Sequence, residues 1–212
     1  MDHLYFFGRF NFPHVGYLYV IREGLLQLKP THGITIVFSV EQATWGKHAI
    51  ALTHRQAMFS LAIQELPKEL SQHVHFSSIE YELQKKRGDA YGGYTIDTLQ
   101  ELIQNNPGVS GIIMGADAML GTHRGKDGFT AWKSWEEIQK TVTVITLPRG
   151  RFTSVQSIQT QLPPKVHPKI LTAVPNPTER DASSTAIIQG NHAFLPTKVR
   201  AYALEHALLV QY

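Results

Sequence analysis

The residues best suited to chemistry lie together near the start of the chain, in Gly8-Arg9-Phe10-Asn11-Phe12-Pro13-His14-Val15-Gly16-Tyr17. Gly8 lets the backbone turn tightly, and Pro13 suits the first position of a helix, where its missing N–H would go unbonded anyway. The free N–H groups and positive dipole end of such a helix face one point and make an anion site. His14 and Tyr17 are three residues apart, so in a first helical turn they share a face and both reach that point. Taken alone, the stretch also reads as a plain strand–turn–helix with a solvated His14. Three later segments offer matching chemistry. Lys47 is either a mobile cation over the same crevice or a solvated surface lysine. Asp117, after Gly115-Ala116, suits ribose hydroxyls at a strand end or a helix cap. Ser183-Ser184-Thr185 places hydroxyls at a helix start, for phosphate oxygens or as a simple N-cap.

The elements that must position these residues alternate between strand and helix. Leu4 to Phe7 is an apolar strand, and the helix after it repeats Val15, Tyr19, Ile21, Leu25 and Leu26 at roughly helical spacing. Strand patterns recur at Gly33 to Val40, Val74 to Ile79, Gly111 to Met114, Val142 to Leu147 and Lys169 to Val174. Helical patterns cover Thr53 to Leu66, Tyr94 to Gln104 with Thr95 as N-cap, and Trp132 to Gln139. A further helix starts at Ser183, and Pro196 to Leu208 turns Val199, Tyr202, Leu204 and Leu208 inward. The alternation predicts an α/β fold: a Rossmann-like, doubly wound parallel sheet with helices on both faces and right-handed crossovers. Residues 1–212 form a single domain in this reading, with 151–212 a C-terminal part of irregular loop, last strand and helices. Ligands of such sheets bind beyond the carboxyl ends of the strands, and Gly8 to Tyr17, Lys47 and Asp117 all fall there.

Composition sets the outer bounds. The chain has 212 residues, 42% hydrophobic and 17% charged, which is ordinary for a globular protein with a real core. A net charge of +3 suits an anionic partner, but the charges are scattered and no Lys/Arg run or aromatic–basic repeat suggests nucleic acid. The absence of cysteine excludes disulfides and thiolate metal sites. No charged leader and no apolar run approaching ~18 residues is visible, so a soluble cytoplasmic protein with no membrane partner is the expectation.

Gly8, Phe10, His14 and Gly16 match the nucleotidyltransferase signature G-x-F-x-P-x-H-x-G-H, and the stretch resembles the loop that cradles ATP phosphates in that superfamily. Later segments narrow the resemblance: Arg55-Gln56-Ala57-Met58, Tyr94-Thr95-Ile96-Asp97-Thr98-Leu99, Gly115-Ala116-Asp117, and Trp132-Lys133-Ser134-Trp135 leading to Pro148-Arg149-Gly150. Together they resemble bacterial nicotinate-nucleotide adenylyltransferase. The resemblance implies adenylyl transfer from ATP to nicotinate mononucleotide, giving deamido-NAD and pyrophosphate in NAD biosynthesis. It implies Mg²⁺ brought in with ATP and no dedicated protein metal site, and leaves a homo-oligomer open. On the ATP side it points to Gly8, Arg9, Phe10, His14, Gly16, Lys47, Gly115, Asp117, Arg149, Ser183, Ser184 and Thr185. For the pyridine nucleotide it points to Phe10, Asn11, Tyr94, Thr95 and Trp132, the tryptophan stacking on the ring or, alternatively, packing in the core with Trp135. His14 and Tyr17 take the catalytic positions.

Two departures from the family pattern matter. Tyr17 replaces the second histidine, and a phenol cannot carry positive charge. Ile188 replaces an arginine in the I-S-S-T-x-I-R motif, and the segment before Leu195-Pro196 is short. Losing two cations from a phosphoryl-type transition state costs on the order of 10²–10⁴ in rate. Arg9 or His192 are the candidates to compensate. The alternatives are an adenylyltransferase preferring nicotinamide mononucleotide, which Gly8-Arg9-Phe10 also resembles, and a weakened nucleotide-binding homologue.

Overall fold

The computed structural model describes residues 1–40, 50–121 and 128–209. Its logic is visible in the first strand, β1 (His3–Gly8), where Leu4 and Phe6 project into one core and Tyr5 into another. A strand apolar on both faces needs cover on both sides, which is the condition for a parallel sheet with helices on each face. The elements follow as α1 (Val15–Leu28), β2 (Ile34–Phe38), α2 (Leu52–Ile63), α3 (Lys68–Ser71), β3 (Val74–Ser77) and α4 (Ile79–Arg87). Then come α5 (Thr95–Asn105), β4 (Ser110–Gly115), α6 (Ala116–Leu120), α7 (Trp135–Thr141), β5 (Thr143–Leu147) and α8 (Val155–Gln159). The chain continues with β6 (Lys169–Ile170), α9 (Pro177–Asp181), α10 (Ser184–Ile188) and α11 (Thr197–Glu205).

The strand order is β3-β2-β1-β4-β5-β6, and every pairing is parallel. One core joins α1, α2 and α11 to Leu4, Phe6, Ile34, Ile36 and Ile113. The other joins α4, α5 and α7 to Tyr5, Val37, Ile112, Met114 and Val144. The doubly wound α/β fold is therefore the one the sequence predicts. The order reverses between β1 and β4, whose carboxyl ends diverge and leave a crevice.

Several expectations are corrected in detail. The third strand stops at Ser77, and Ile79 opens α4, a helix of sequence IEYELQKKR whose apolar content is too low to give a periodic signal. The last strand is two residues long rather than six. Trp132 precedes its helix instead of starting it, because Phe129–Ala131 forms a separate 3₁₀ turn. Tyr94, not Thr95, is the N-cap of α5. Leu204 is 55% exposed, and Ala203 takes its inward place on α11. No helix among the described residues is long and apolar enough to cross a membrane.

Candidate active site

The turn after β1 is set by Phe10, which lies in the left-handed region at φ 51°. That conformation costs a side-chain-bearing residue about 1–2 kcal/mol. Burial offsets it: the ring is 1% exposed and meets Phe6, Tyr17, Phe38 and Phe59 edge-on at 5.2, 5.1, 5.6 and 4.9 Å. Asn11 Oδ1 accepts a hydrogen bond from the Ile50 N–H at 3.3 Å, tying the turn to the chain that follows β2. Helix α1 begins at Val15 with His14 as its N-cap, so Pro13 lies just outside the helix rather than at its first position.

Beside that N-terminus, a cavity of about 260 Å³ occupies the crevice between β1 and β4. Gly8, His14, Tyr17, Gly115, Asp117 and Arg149 are among its lining residues. The His14 and Tyr17 rings stack at 3.8 Å, and the Arg149 guanidinium lies 5.4 Å from the Tyr17 ring centroid. Arg149 Nη2 donates to the Ala182 carbonyl at 2.9 Å, and Nη1 stands 3.7 Å from Asp117 Oδ2. Two glycines permit this density. A Cβ on Gly16 would lie 2.9 Å from the Glu179 carbonyl and 3.2 Å from Arg149 Nε. One on Gly115 would lie 2.5 Å from Asp117 Oδ1 and 2.7 Å from Arg149 Cδ.

The polar atoms here are buried and underused. Both ring nitrogens of His14, Asp117 Oδ1 and Arg149 Nε have no hydrogen-bond partner. Buried polar groups are nearly always paired, so four orphans around one cavity mark a place where a polar ligand completes the network. Burial, and secondarily Arg149, holds His14 well below its ordinary pKa, so the imidazole is neutral and offers one N–H. Burial pushes the Tyr17 phenol up, opposed by Arg149 and by a hydrogen-bonding contact with Ser184. Arg149 is therefore the fixed positive charge of this cavity among the described residues.

A second cavity, of about 310 Å³, shares Phe7, Gly8 and Trp132 with the first and extends to Arg9, Ser39, Val40, Tyr94, Thr95 and Lys133. Trp132 is half-buried, packs edge-on against Phe129 at 5.5 Å and still lines both cavities, so it anchors in the core and faces the site. Behind the floor lies a buried network. Arg55, 1% exposed, donates to the carbonyls of Arg9 at 2.7 Å and Ser39 at 3.1 Å, and to the Tyr81 hydroxyl. Glu80 accepts from the Val40 N–H at 3.0 Å and from Thr98 at 3.4 Å. Burial raises its carboxyl to about 7 against these stabilising bonds and the Arg55 charge. A third cavity, of about 560 Å³, adjoins the first through Asp117 and Ser183 and includes Gly150, Arg151, Phe152 and Ala182.

The structure thus gathers Gly8, Phe10, His14, Tyr17, Gly115, Asp117, Trp132, Arg149, Ser183 and Ser184 around the first cavity, with Gly16 packed beneath it. Arg9, Tyr94 and Thr95 join the second. Phe10 contributes as a buried wall, and Asn11 as a tie to Ile50. Ser183 spends its hydroxyl on the Ala186 N–H at 3.1 Å, as an N-cap does, while Thr185 is exposed and lines neither cavity. Asp117 does not cap α6; its N-cap is Gly115. Lys47 lies outside the described residues. Neither Arg9 nor His192 lines the cavity at Tyr17. Sequence reasoning missed Glu80 and the cavity role of Lys133. A lone carboxylate among charged neighbours and a lysine beside a tryptophan carry no local signal.

Residues 5–190 match the cytidylyltransferase-like family. No curated protein matches the chain. Among solved structures it is similar to Plasmodium falciparum nicotinic acid mononucleotide adenylyltransferase complexed with NaAD. That match has TM-score 0.76 and 16% identity, covering 100% of this chain and 99% of the other. The same Plasmodium protein complexed with APC matches with TM-score 0.74 and 15% identity, over 100% and 98% of the two chains. The family match spans both site-bearing halves of the sheet, and the chain belongs to the cytidylyltransferase-like family and is a nucleotidyltransferase.

Proposed function

We propose that the protein transfers the adenylyl group of ATP to nicotinate mononucleotide. The observation that carries this reading is the pair of cavities meeting at Phe7, Gly8 and Trp132, at the point where strand order reverses. One offers buried cation and donor groups for phosphates, and the other offers aromatic surface for a planar ring. The similar structures, which hold NaAD and APC, support the same assignment. The third cavity, past Asp117 and Ser183, has room for the adenosine half of ATP.

In this reaction a phosphate oxygen of the mononucleotide bonds to the α-phosphorus of ATP in line with the bond to the β-phosphate oxygen, which breaks to release pyrophosphate. No side chain needs to form a covalent intermediate, so the protein orients two anions and spreads charge. Arg149 and neutral His14 would hold phosphate oxygens, the α1 N-terminus adding its dipole. Asp117 Oδ1 would accept from a ribose hydroxyl. Magnesium brought in with ATP would neutralise phosphate charge and would be held mainly by the phosphates themselves, with Asp117 as a carboxylate available in the lining.

The test is to mix the purified protein with ATP, Mg²⁺ and either nicotinate or nicotinamide mononucleotide, measuring dinucleotide and pyrophosphate together. Faster product from the nicotinate form supports the proposal. A preference for the nicotinamide form reassigns the substrate, and no product from either rejects catalysis.

A further inference from the structure

The pyridine-side cavity carries an electrostatic bias that the general reaction does not require. Its described lining contains two cations, Arg9 and Lys133, and no carboxylate. Arg9 has its main chain held from behind, through its carbonyl, by Arg55. Lys133 is held from the front: its ammonium sits 4.1 Å from the centroid of the Tyr94 ring, which is itself 38% exposed at the cavity mouth. A cation over an aromatic face is attracted by the ring quadrupole, and that attraction narrows the positions a long lysine side chain samples. Lys133 makes no ion pair among the described residues, so its charge is not spent on an internal carboxylate. Thr95, in the first turn of the eleven-residue α5, lines the same cavity and adds the positive end of a helix dipole.

Resting on the reading above, we infer that Lys133, steadied by Tyr94, is a specificity-determining residue that selects a ring bearing a carboxylate over one bearing a carboxamide. The two substrates have nearly the same shape and differ by one negative charge at the ring. Shape alone therefore discriminates weakly between them, whereas a placed cation acts on the charge difference. The placement is half-open to water, so the discrimination is moderate. Removing the Lys133 charge is worth about three- to tenfold in the ratio of the two affinities, in line with partly exposed charge-assisted contacts.

The experiment is calorimetric binding of nicotinate and nicotinamide mononucleotide to the full chain and to Lys133→Met, Lys133→Arg and Tyr94→Leu. The wild type is expected to favour the nicotinate form. Lys133→Met should lower that preference about three- to tenfold and Lys133→Arg restore most of it, with Tyr94→Leu in between. Raising the salt concentration should erode the wild-type preference and leave that of Lys133→Met little changed. A preference kept intact in Lys133→Met, or lost equally in Lys133→Arg, overturns the inference while the adenylyltransferase reading stands. A wild type that binds neither mononucleotide overturns both.

Discussion

The two cavities that meet at Gly8 and Trp132 are built in opposite ways. In the cavity beside Tyr17, where ATP is proposed to bind, Arg149 and His14 are 6% and 1% exposed and keep polar atoms without partners. In the other cavity, where the pyridine ring is proposed to bind, Tyr94 and Lys133 are exposed and rely on each other, while behind them Arg55 and Glu80 are tied to main-chain groups, with Arg55 Nε left without a partner. Under the proposed function the first region would hold polar groups aimed in advance at a charge that arrives with the ligand, where low dielectric makes each contact strong. The second puts its order in the scaffold and would leave recognition to exposed side chains at the rim. The difference teaches where catalytic power and selectivity should separate: rate on the buried side, choice of substrate on the open side.

The largest expected effect follows directly. Arg149→Met keeps the apolar stem of the side chain but removes the guanidinium, with its fixed charge, its place over Tyr17 and its bond to the Ala182 carbonyl. It should lower kcat/KM by about 10²–10³ with either mononucleotide, as loss of one preorganised donor does. Steady-state kinetics and ATP binding on the same samples check it. A loss confined to nicotinate mononucleotide would break the comparison, because it would put Arg149 on the selective side.

The next effect sharpens the second cavity through its scaffold. Glu80 has an ordinary pKa of 4.5 and is raised to about 7 in the fold. The protonated form is the one the interior favours, so its stabilisation is complete below 4.5 and is lost as pH rises through about 7. That window is worth up to about 3 kcal/mol of stability. Glu80→Gln keeps an acceptor for the Val40 N–H, and its denaturant stability should fall by that much less than the wild type's between pH 4.5 and pH 8. His14 acts in the other direction, its depressed pKa giving stability present above 6.5 and lost as pH falls, so the difference between the two proteins isolates Glu80. Equal slopes would show that Glu80 is ionised throughout and that its network is an ordinary ion pair with Arg55.

How far the sequence reaches differs between the two regions for a physical reason. The crevice around His14 was legible because glycines at close approaches, a histidine at a helix start and an aspartate after a strand each leave a local trace; Gly16, His14 and Asp117 all lie where that trace puts them. The fold was legible for a similar reason, since a strand buried on both faces, such as β4, reads as a continuous apolar run. The support of the second cavity was not. Arg55, Glu80 and Thr98 are brought together by α2, α4 and α5, and their contacts span 16 to 46 residues. Lys133 gains meaning only from Tyr94, thirty-nine positions away in the chain and 4.1 Å from its ammonium in space.

The smallest effect bears on the residue that departs most from the family signature. If Tyr17 were simply a lost cation, Tyr17→His should restore a large part of the rate. The geometry argues otherwise. The ring at this position meets His14, stacked at 3.8 Å, and the Arg149 guanidinium at 5.4 Å. An imidazole placed there would face the same burial and the same positive charge that already keep His14 neutral. It would exchange one neutral donor for another and lose the contact of the phenol with Ser184. Turnover of Tyr17→His should therefore change by less than about tenfold, whereas a restored cationic contact would give about 10²-fold or more. The single mutant's kcat at pH 7.5 decides the matter: a gain of the larger size would mean that Arg149 does not supply the missing charge, and that the buried side lost the power assigned to it.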